Sequence, residues 1–171
     1  MTVQTGHSSR PDSPSRNRWA GGLLIAAGVI GVVTGAVPLA INAARAFFHE
    51  STSIRIDLAA HGVEAMGLSV EWALLSCTMG VLLGILLLWA GRAWLRGRAT
   101  APLLSWIYVL AGLMVNLVDM LIFLFLARPG AMRSRMLFLD GLATLLPVVV
   151  AAWLIARRRT APPPGPRASG L

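Results

Sequence analysis

The chain has 171 residues, of which 56% are hydrophobic and only 13% are charged. A soluble domain of this size cannot bury so much apolar surface, and the mean hydropathy of +0.71 is typical of an integral membrane protein. Most of the residues fall in four apolar runs, which leave no room for a second domain large enough to form a soluble enzyme.

Charge and cysteine content exclude two further classes of protein. The net charge is +8, and every basic residue is an arginine, a bias typical of a GC-rich bacterial genome. The arginines flank the apolar runs instead of forming one patch interleaved with aromatic residues, so we predict no nucleic-acid partner. The single cysteine, Cys77, lies within an apolar run. One cysteine excludes an intramolecular disulfide and dithiol redox chemistry.

The apolar runs predict an all-α protein, a transmembrane four-helix bundle. Each run is near or above the ~20 residues that a helix needs to cross ~30 Å of hydrocarbon. The tails, residues 1–18 and 157–171, are rich in Ser, Pro and Arg without apolar periodicity, and we predict that they are disordered. The membrane domain between them, 19–156, is predicted to have helices at 19–44, 72–90, 101–127 and 136–156 and a loop at 45–71.

The first run has an alternative interpretation as a secretory signal. Arg10, Arg16 and Arg18 precede it, and residues 44–46 loosely match a small-x-small cleavage site. Its apolar stretch, residues 20–40, is much longer than the 7–15 residues of a signal core. An uncleaved membrane helix is therefore favoured.

The arginines are distributed unequally between the two sides of the predicted bundle. Cytoplasmic segments of membrane proteins carry an excess of basic residues. We therefore predict a multi-pass protein of the bacterial inner membrane with both termini in the cytoplasm. Ten arginines lie in the two tails and in the loop between the second and third helices, namely Arg10, Arg16, Arg18, Arg92, Arg96, Arg98, Arg157, Arg158, Arg159 and Arg167. Five arginines lie on the other side, namely Arg45, Arg55, Arg128, Arg133 and Arg135.

The loop at 45–71 is the only extramembrane segment with room for structure. His61 and Glu64 are three residues apart, a spacing that places both on one helix face, and His49 with Glu50 could complete a cation site. The histidines lack the spacing of a HExxH motif, so we interpret the segment as a solvated loop. No metal site and no cofactor are predicted.

Small residues at helical spacing predict close packing between the helices. Such residues let two backbones approach, and Gly31-xxx-Gly35 and Gly80-xxx-Gly84 are GxxxG pairs. Leu87, by contrast, is expected on a less constrained face. The pattern specifies no activity and fits either packing of the bundle itself or a homodimer seam. The glycines predicted to pack are Gly28, Gly31, Gly35, Gly80, Gly84 and Gly112.

One carboxylate, Asp119, is predicted within the membrane, eight residues from the end of the third helix. That distance corresponds to roughly 12 Å below the interface, where a carboxylate is usually paired, protonated or exposed to water. It belongs to a predicted polar layer in the outer half of the membrane. The members of this layer are Asn42, Cys77, Asn116, Asp119, Asp140 and Thr144.

Two mechanisms for the polar layer remain open. Asp119 could bind and release a proton or a small cation, with Asn116 and Thr144 as neutral ligands. Alternatively, a protonated Asp119 could donate a hydrogen bond to Asn42 or Thr144 and only hold the helices together. We predict no enzymatic activity. All three histidines lie outside the helices, no phosphate-binding loop is present, and Asp119 and Asp140 lie one turn apart in depth.

Residues 80–113 form a Leu-rich segment that is closed by an Arg-containing turn and followed by a second apolar segment. This pattern resembles the central hairpin of small bacterial four-helix membrane proteins of unassigned function. The resemblance implies a multi-pass protein and carries over no functional residue. We predict an accessory or assembly subunit that acts through helix contacts. Its partners are the lipid bilayer and either a second copy or another membrane protein. The alternative is a dimeric proton- or cation-coupled carrier centred on Asp119.

Overall fold

The computed structural model describes residues 14–47 and 66–160, and these ranges form four helices and no strand. The predicted all-α fold is confirmed. Every helix contains a segment of at least 25 residues that is long and apolar enough to cross a membrane. The helices are α1 (Pro14–Phe47), α2 (Val70–Leu95), α3 (Ala101–Phe125) and α4 (Ala131–Thr160).

Most helix ends extend beyond the apolar runs that predict them. α1 begins at Pro14 instead of residue 19, and α4 begins at Ala131 instead of residue 136. Arginine ends an apolar run but is a good helix former, so the helix continues after the hydropathy has fallen. Residues 14–18 and 157–160, predicted in disordered tails, are helical, whereas the other tail residues and 48–65, with His49, Glu50, His61 and Glu64, lie outside the described residues.

The turn between α2 and α3 is set by one glycine. Gly97 has a φ of +62°, its N–H donates to the Trp94 carbonyl at 3.1 Å, and the Arg98 N–H donates to the Ala93 carbonyl at 2.9 Å. This is a Schellman motif, in which the left-handed residue is normally glycine because it has no Cβ. Thr100 then forms the N-cap of α3. The short connection makes α2 and α3 an antiparallel hairpin.

At the opposite end, side chains and backbone join α3 to the flanking segments. The Arg133 guanidinium donates to the Leu124 carbonyl at 2.7 Å, which satisfies one acceptor at the carboxyl end of α3. The Arg128 N–H donates to the Met66 carbonyl at 2.9 Å, so the segment before α2 is held against the end of α3. The connection between α3 and α4 consists of residues 126–130, which is shorter than the connection at 128–135 that the predicted helix bounds leave.

Each helix packs against its neighbour in the chain, and the contact between α1 and α2 is the most extensive. A buried core draws on all four helices through Leu24, Leu87, Val109 and Val150. Near it, the Trp94 indole donates to the Ser105 hydroxyl at 2.9 Å and meets Trp153 edge-on, with ring centroids 4.9 Å apart. Buried aromatic contacts and an interhelix hydrogen bond thus join the ends of α2, α3 and α4. The Arg157 guanidinium lies 4.4 Å from the centroid of the Trp94 ring.

Glycines form the contact between α1 and α2. A Cβ added at Gly84 would lie 2.7 Å from the Val32 nitrogen, and a Cβ added at Gly28 would lie 2.9 Å from the Gly84 carbonyl oxygen. Real Cβ atoms do not approach backbone atoms this closely, so the two helices approach as they do only because both positions lack a side chain. Gly35 lies in the same contact, where its Cβ would be 3.0 Å from the Val81 nitrogen.

The remaining predicted packing glycines differ from one another. At Gly31 a Cβ would meet the Gly84 Cα at 3.4 Å, and at Gly112 it would meet Pro147 on α4 at 3.6 Å, both close to ordinary contact. Gly80 departs from the prediction, because a Cβ there would have no described neighbour within 4 Å. Gly80 and Gly84 are four residues, or about 400°, apart on the helix, and this 40° offset is enough to turn Gly80 away from α1.

Candidate intramembrane polar site

Asp119 lies at the contact between α2 and α3 and is only 7% exposed. The Ser76 hydroxyl on α2 donates a hydrogen bond to its carboxylate oxygen Oδ2 at 2.9 Å. A carboxylate in an apolar surrounding is stabilised by such a donor, and the bond connects two helices. Ser76 was missing from the predicted polar layer, although a serine in an apolar run one residue from Cys77 was a usable signal.

Asn42 and Cys77 form the part of the site between α1 and α2. Asn42 is 4% exposed, and its amide lies near the Cys77 thiol. Cys77 is half-buried and also interacts electrostatically with Asp119. Polar groups of α1, α2 and α3 therefore lie near one another.

Asp140 places a second carboxylate beside the first. It lies on α4, close enough to Asp119 for the two groups to interact electrostatically. Its oxygen Oδ2 is buried and has no hydrogen-bond partner among the residues that the structure describes. Two ionised carboxylates that interact in an apolar environment repel one another. A proton or a cation bound by either carboxylate would reduce that repulsion.

Two predicted members of the layer do not take the roles proposed for them. The Thr144 hydroxyl donates to the Asp140 carbonyl at 2.7 Å within α4, and no hydrogen bond between Thr144 and Asp119 occurs among the described residues. Threonine commonly bonds to the carbonyl four residues earlier in a helix. Asn116 is half-buried on α3, and no hydrogen bond found within residues 14–47 and 66–160 involves its side chain. The predicted pairing of Asp119 with Asn42 or Thr144 is replaced by pairing with Ser76.

Among the described residues, the charged groups found to act on this site are carboxylates. For neither Asp119 nor Asp140 does a described arginine contribute to the electrostatic environment. No group of three His, Cys, Asp or Glu side chains with the geometry of a metal site occurs in the described ranges. Within those ranges, the donors and acceptors suit a proton or a weakly bound monovalent cation better than a coordinated transition metal.

Comparison of the chain with family models, with curated proteins and with solved structures finds no match. The architecture nevertheless defines a class, four apolar helices long enough to span a membrane that enclose a layer of polar side chains.

Proposed function

We propose that this chain is a multi-pass protein of a bacterial inner membrane that acts through helix contacts, as an accessory or assembly subunit. The observation that supports this proposal is the small buried share of each membrane-spanning segment, from 11% in α1 to 22% in α2 and α3. Most of the surface that the protein can offer to a partner in the membrane is therefore the apolar surface of its helices. Helices associate in a bilayer where their surfaces fit one another.

The polar site supports the same proposal. Ser76 donates a hydrogen bond to Asp119 between α2 and α3, and Asn42 lies near Cys77 between α1 and α2. A hydrogen bond between membrane helices contributes about 0.6–2 kcal/mol to their association. A protein with this arrangement keeps its polar groups inside and offers apolar faces to a partner or to lipid.

Site-specific photo-crosslinking tests the proposal. A benzophenone amino acid is placed at one strongly exposed position of each helix, Ile30, Leu82, Leu110 or Val149, all more than half exposed. We expect a protein adduct from one or two of these faces and lipid adducts from the others. An adduct of twice the mass of the chain identifies a second copy, and another mass identifies a different subunit. If irradiation yields no protein adduct at any of the four positions, the proposal is wrong.

The proposed orientation places both termini in the cytoplasm. Eight described arginines lie at the end that holds the start of α1, the turn between α2 and α3 and the end of α4, and the other end holds Arg45, Arg128, Arg133 and Arg135 together with Glu71. We call the first of these the cationic end. Its arginines are Arg16, Arg18, Arg92, Arg96, Arg98, Arg157, Arg158 and Arg159.

Thiol labelling of intact cells tests this orientation. Ala99 and Gly130 are exposed and lie in opposite connections of the bundle. A membrane-impermeant maleimide should label a Gly130→Cys variant and leave an Ala99→Cys variant unlabelled until the cells are opened. The wild-type chain, with its half-buried Cys77, measures the background. The reverse labelling pattern would overturn the orientation.

A second candidate function rests on Asp140. Its buried, unpartnered carboxylate oxygen beside Asp119 is more than helix association requires. A dimeric proton- or cation-coupled carrier would use the two carboxylates to load and release the ion, because the ion would relieve their mutual repulsion.

A further inference from the structure

A cavity of about 330 Å³ opens at the cationic end, beside the turn between α2 and α3. This volume is at the lower end of the range for small-molecule sites, which run from ~300 to ~1,000 Å³. It is large enough for a phosphate-bearing headgroup but not for a whole lipid. Its main lining residues are Trp89, Arg92, Arg96, Arg98, Thr100 and Leu104.

Three arginines line this one cavity, and no acidic side chain lines it. Arg92, Arg96 and Arg98 form no ion pair with any residue of the described ranges. The guanidinium group has a planar set of donors that matches the oxygens of a phosphate, which makes it the preferred side chain for binding that group. The cavity therefore concentrates uncompensated positive charge where a phosphate could be held from several sides.

The backbone around the turn places these groups together. The left-handed conformation of Gly97 reverses the chain between Arg96 and Arg98, so both flank the same opening. Thr100 is the N-cap of α3, but its side chain makes no capping hydrogen bond, which leaves the hydroxyl available to a ligand. The amino end of α3 adds the positive end of a helix dipole beside it.

One wall of the cavity is apolar and faces away from the bundle. Trp89 is 64% exposed, and Leu104 is half-buried beside it. Tryptophan at a helix end lies preferentially at the level of the lipid headgroups. Basic pockets between membrane helices at this level bind the headgroups of anionic lipids. A phosphate held by the arginines would leave its acyl chains against Trp89 and Leu104.

We propose that this cavity binds the phosphate headgroup of an anionic phospholipid. The site is separate from the polar layer around Asp119 and does not depend on the function proposed above. Bound lipid would neutralise part of the cationic end and hold α2 and α3 at a fixed depth in the membrane.

Native mass spectrometry of the full chain in detergent tests this assignment. The protein is titrated with dioctanoyl phosphatidylglycerol and, separately, with dioctanoyl phosphatidylcholine. We expect the anionic lipid to bind at least about tenfold more tightly, because phosphatidylcholine carries a choline cation that the three arginines repel, whereas phosphatidylglycerol has the same phosphate without that cation. The variant with Arg96→Gln and Arg98→Gln should lose about tenfold in affinity for phosphatidylglycerol.

The matched control combines Arg135→Gln with Arg159→Gln. It removes the same charge from two exposed arginines that do not line the cavity, and its affinity should stay within about twofold of the wild type. Arg98→Gln alone serves if the first variant does not fold, and should weaken binding about threefold. Equal affinity for the two lipids, or an equal loss in the control, would overturn the proposal. Full displacement of the lipid by millimolar inorganic phosphate would assign the cavity to free phosphate and overturn the lipid assignment.

Discussion

Replacing Gly84 with alanine should separate α1 from α2 and destabilise the protein by about 2–3 kcal/mol, the upper part of the usual range for overpacking. The added methyl group would lie 2.7 Å from the Val32 nitrogen and 3.0 Å from the Gly31 carbonyl carbon. Both atoms belong to the backbone of α1, so no side-chain rotation can make room for it. The helices must move apart, and the contacts along this interface are lost together.

Gly80→Ala is the matched control, one turn earlier on the same helix. A methyl group there meets no described atom within 4 Å, and alanine favours a helix more than glycine does. Thermal unfolding in detergent, followed by circular dichroism, should show a large decrease in Tm for Gly84→Ala and an unchanged or slightly higher Tm for Gly80→Ala. Similar decreases for the two variants would contradict the assignment of the interface.

The second large effect is expected at the carboxylate pair. Asp119→Asn should leave the fold close to wild type, because the asparagine carbonyl oxygen can still accept the hydrogen bond from Ser76. The amide cannot release a proton at any physiological pH. If the pair carries protons or cations, Asp119→Asn and Asp140→Asn should each abolish pH-dependent uptake into reconstituted vesicles, whereas Asp119→Glu should retain part of it.

Asn116→Ala is the control for this experiment. Asn116 lies one turn from Asp119 on α3, and its side chain makes no hydrogen bond to the described residues, so uptake and Tm should change little. Wild-type vesicles that take up no ion across a pH gradient and a panel of cations would exclude the carrier. An Asp119→Asn variant that unfolds or loses its partner would contradict the prediction that a neutral acceptor at this position is sufficient for the contact with Ser76.

The polar layer was only partly predictable from sequence. Counting residues along each predicted helix gives the depth of a residue in the membrane. By this count, Asn42, Cys77, Asp119 and Asp140 were predicted to lie in the same layer. Depth does not give rotation about the helix axis, which determines whether a side chain reaches its neighbour. Ser76 was missed and Thr144 was given a bond across the bundle for this reason, since the structure turns the first toward Asp119 and the second back to its own helix.

Composition and hydropathy by themselves determined that this protein has four apolar helices, because a chain that must satisfy every backbone group away from water has few other solutions. The unequal distribution of the arginines and part of the polar layer could also be predicted from the sequence. Only the tertiary structure decided that Gly84 packs and Gly80 does not, that Leu87, expected on a less constrained face, is 2% exposed, and that three arginines share one cavity. Residues of the same type repeat around each helix. Packing against the neighbouring helices sets the rotation of each helix about its axis, and a few tens of degrees of that rotation decide whether a residue contacts a neighbour or is exposed.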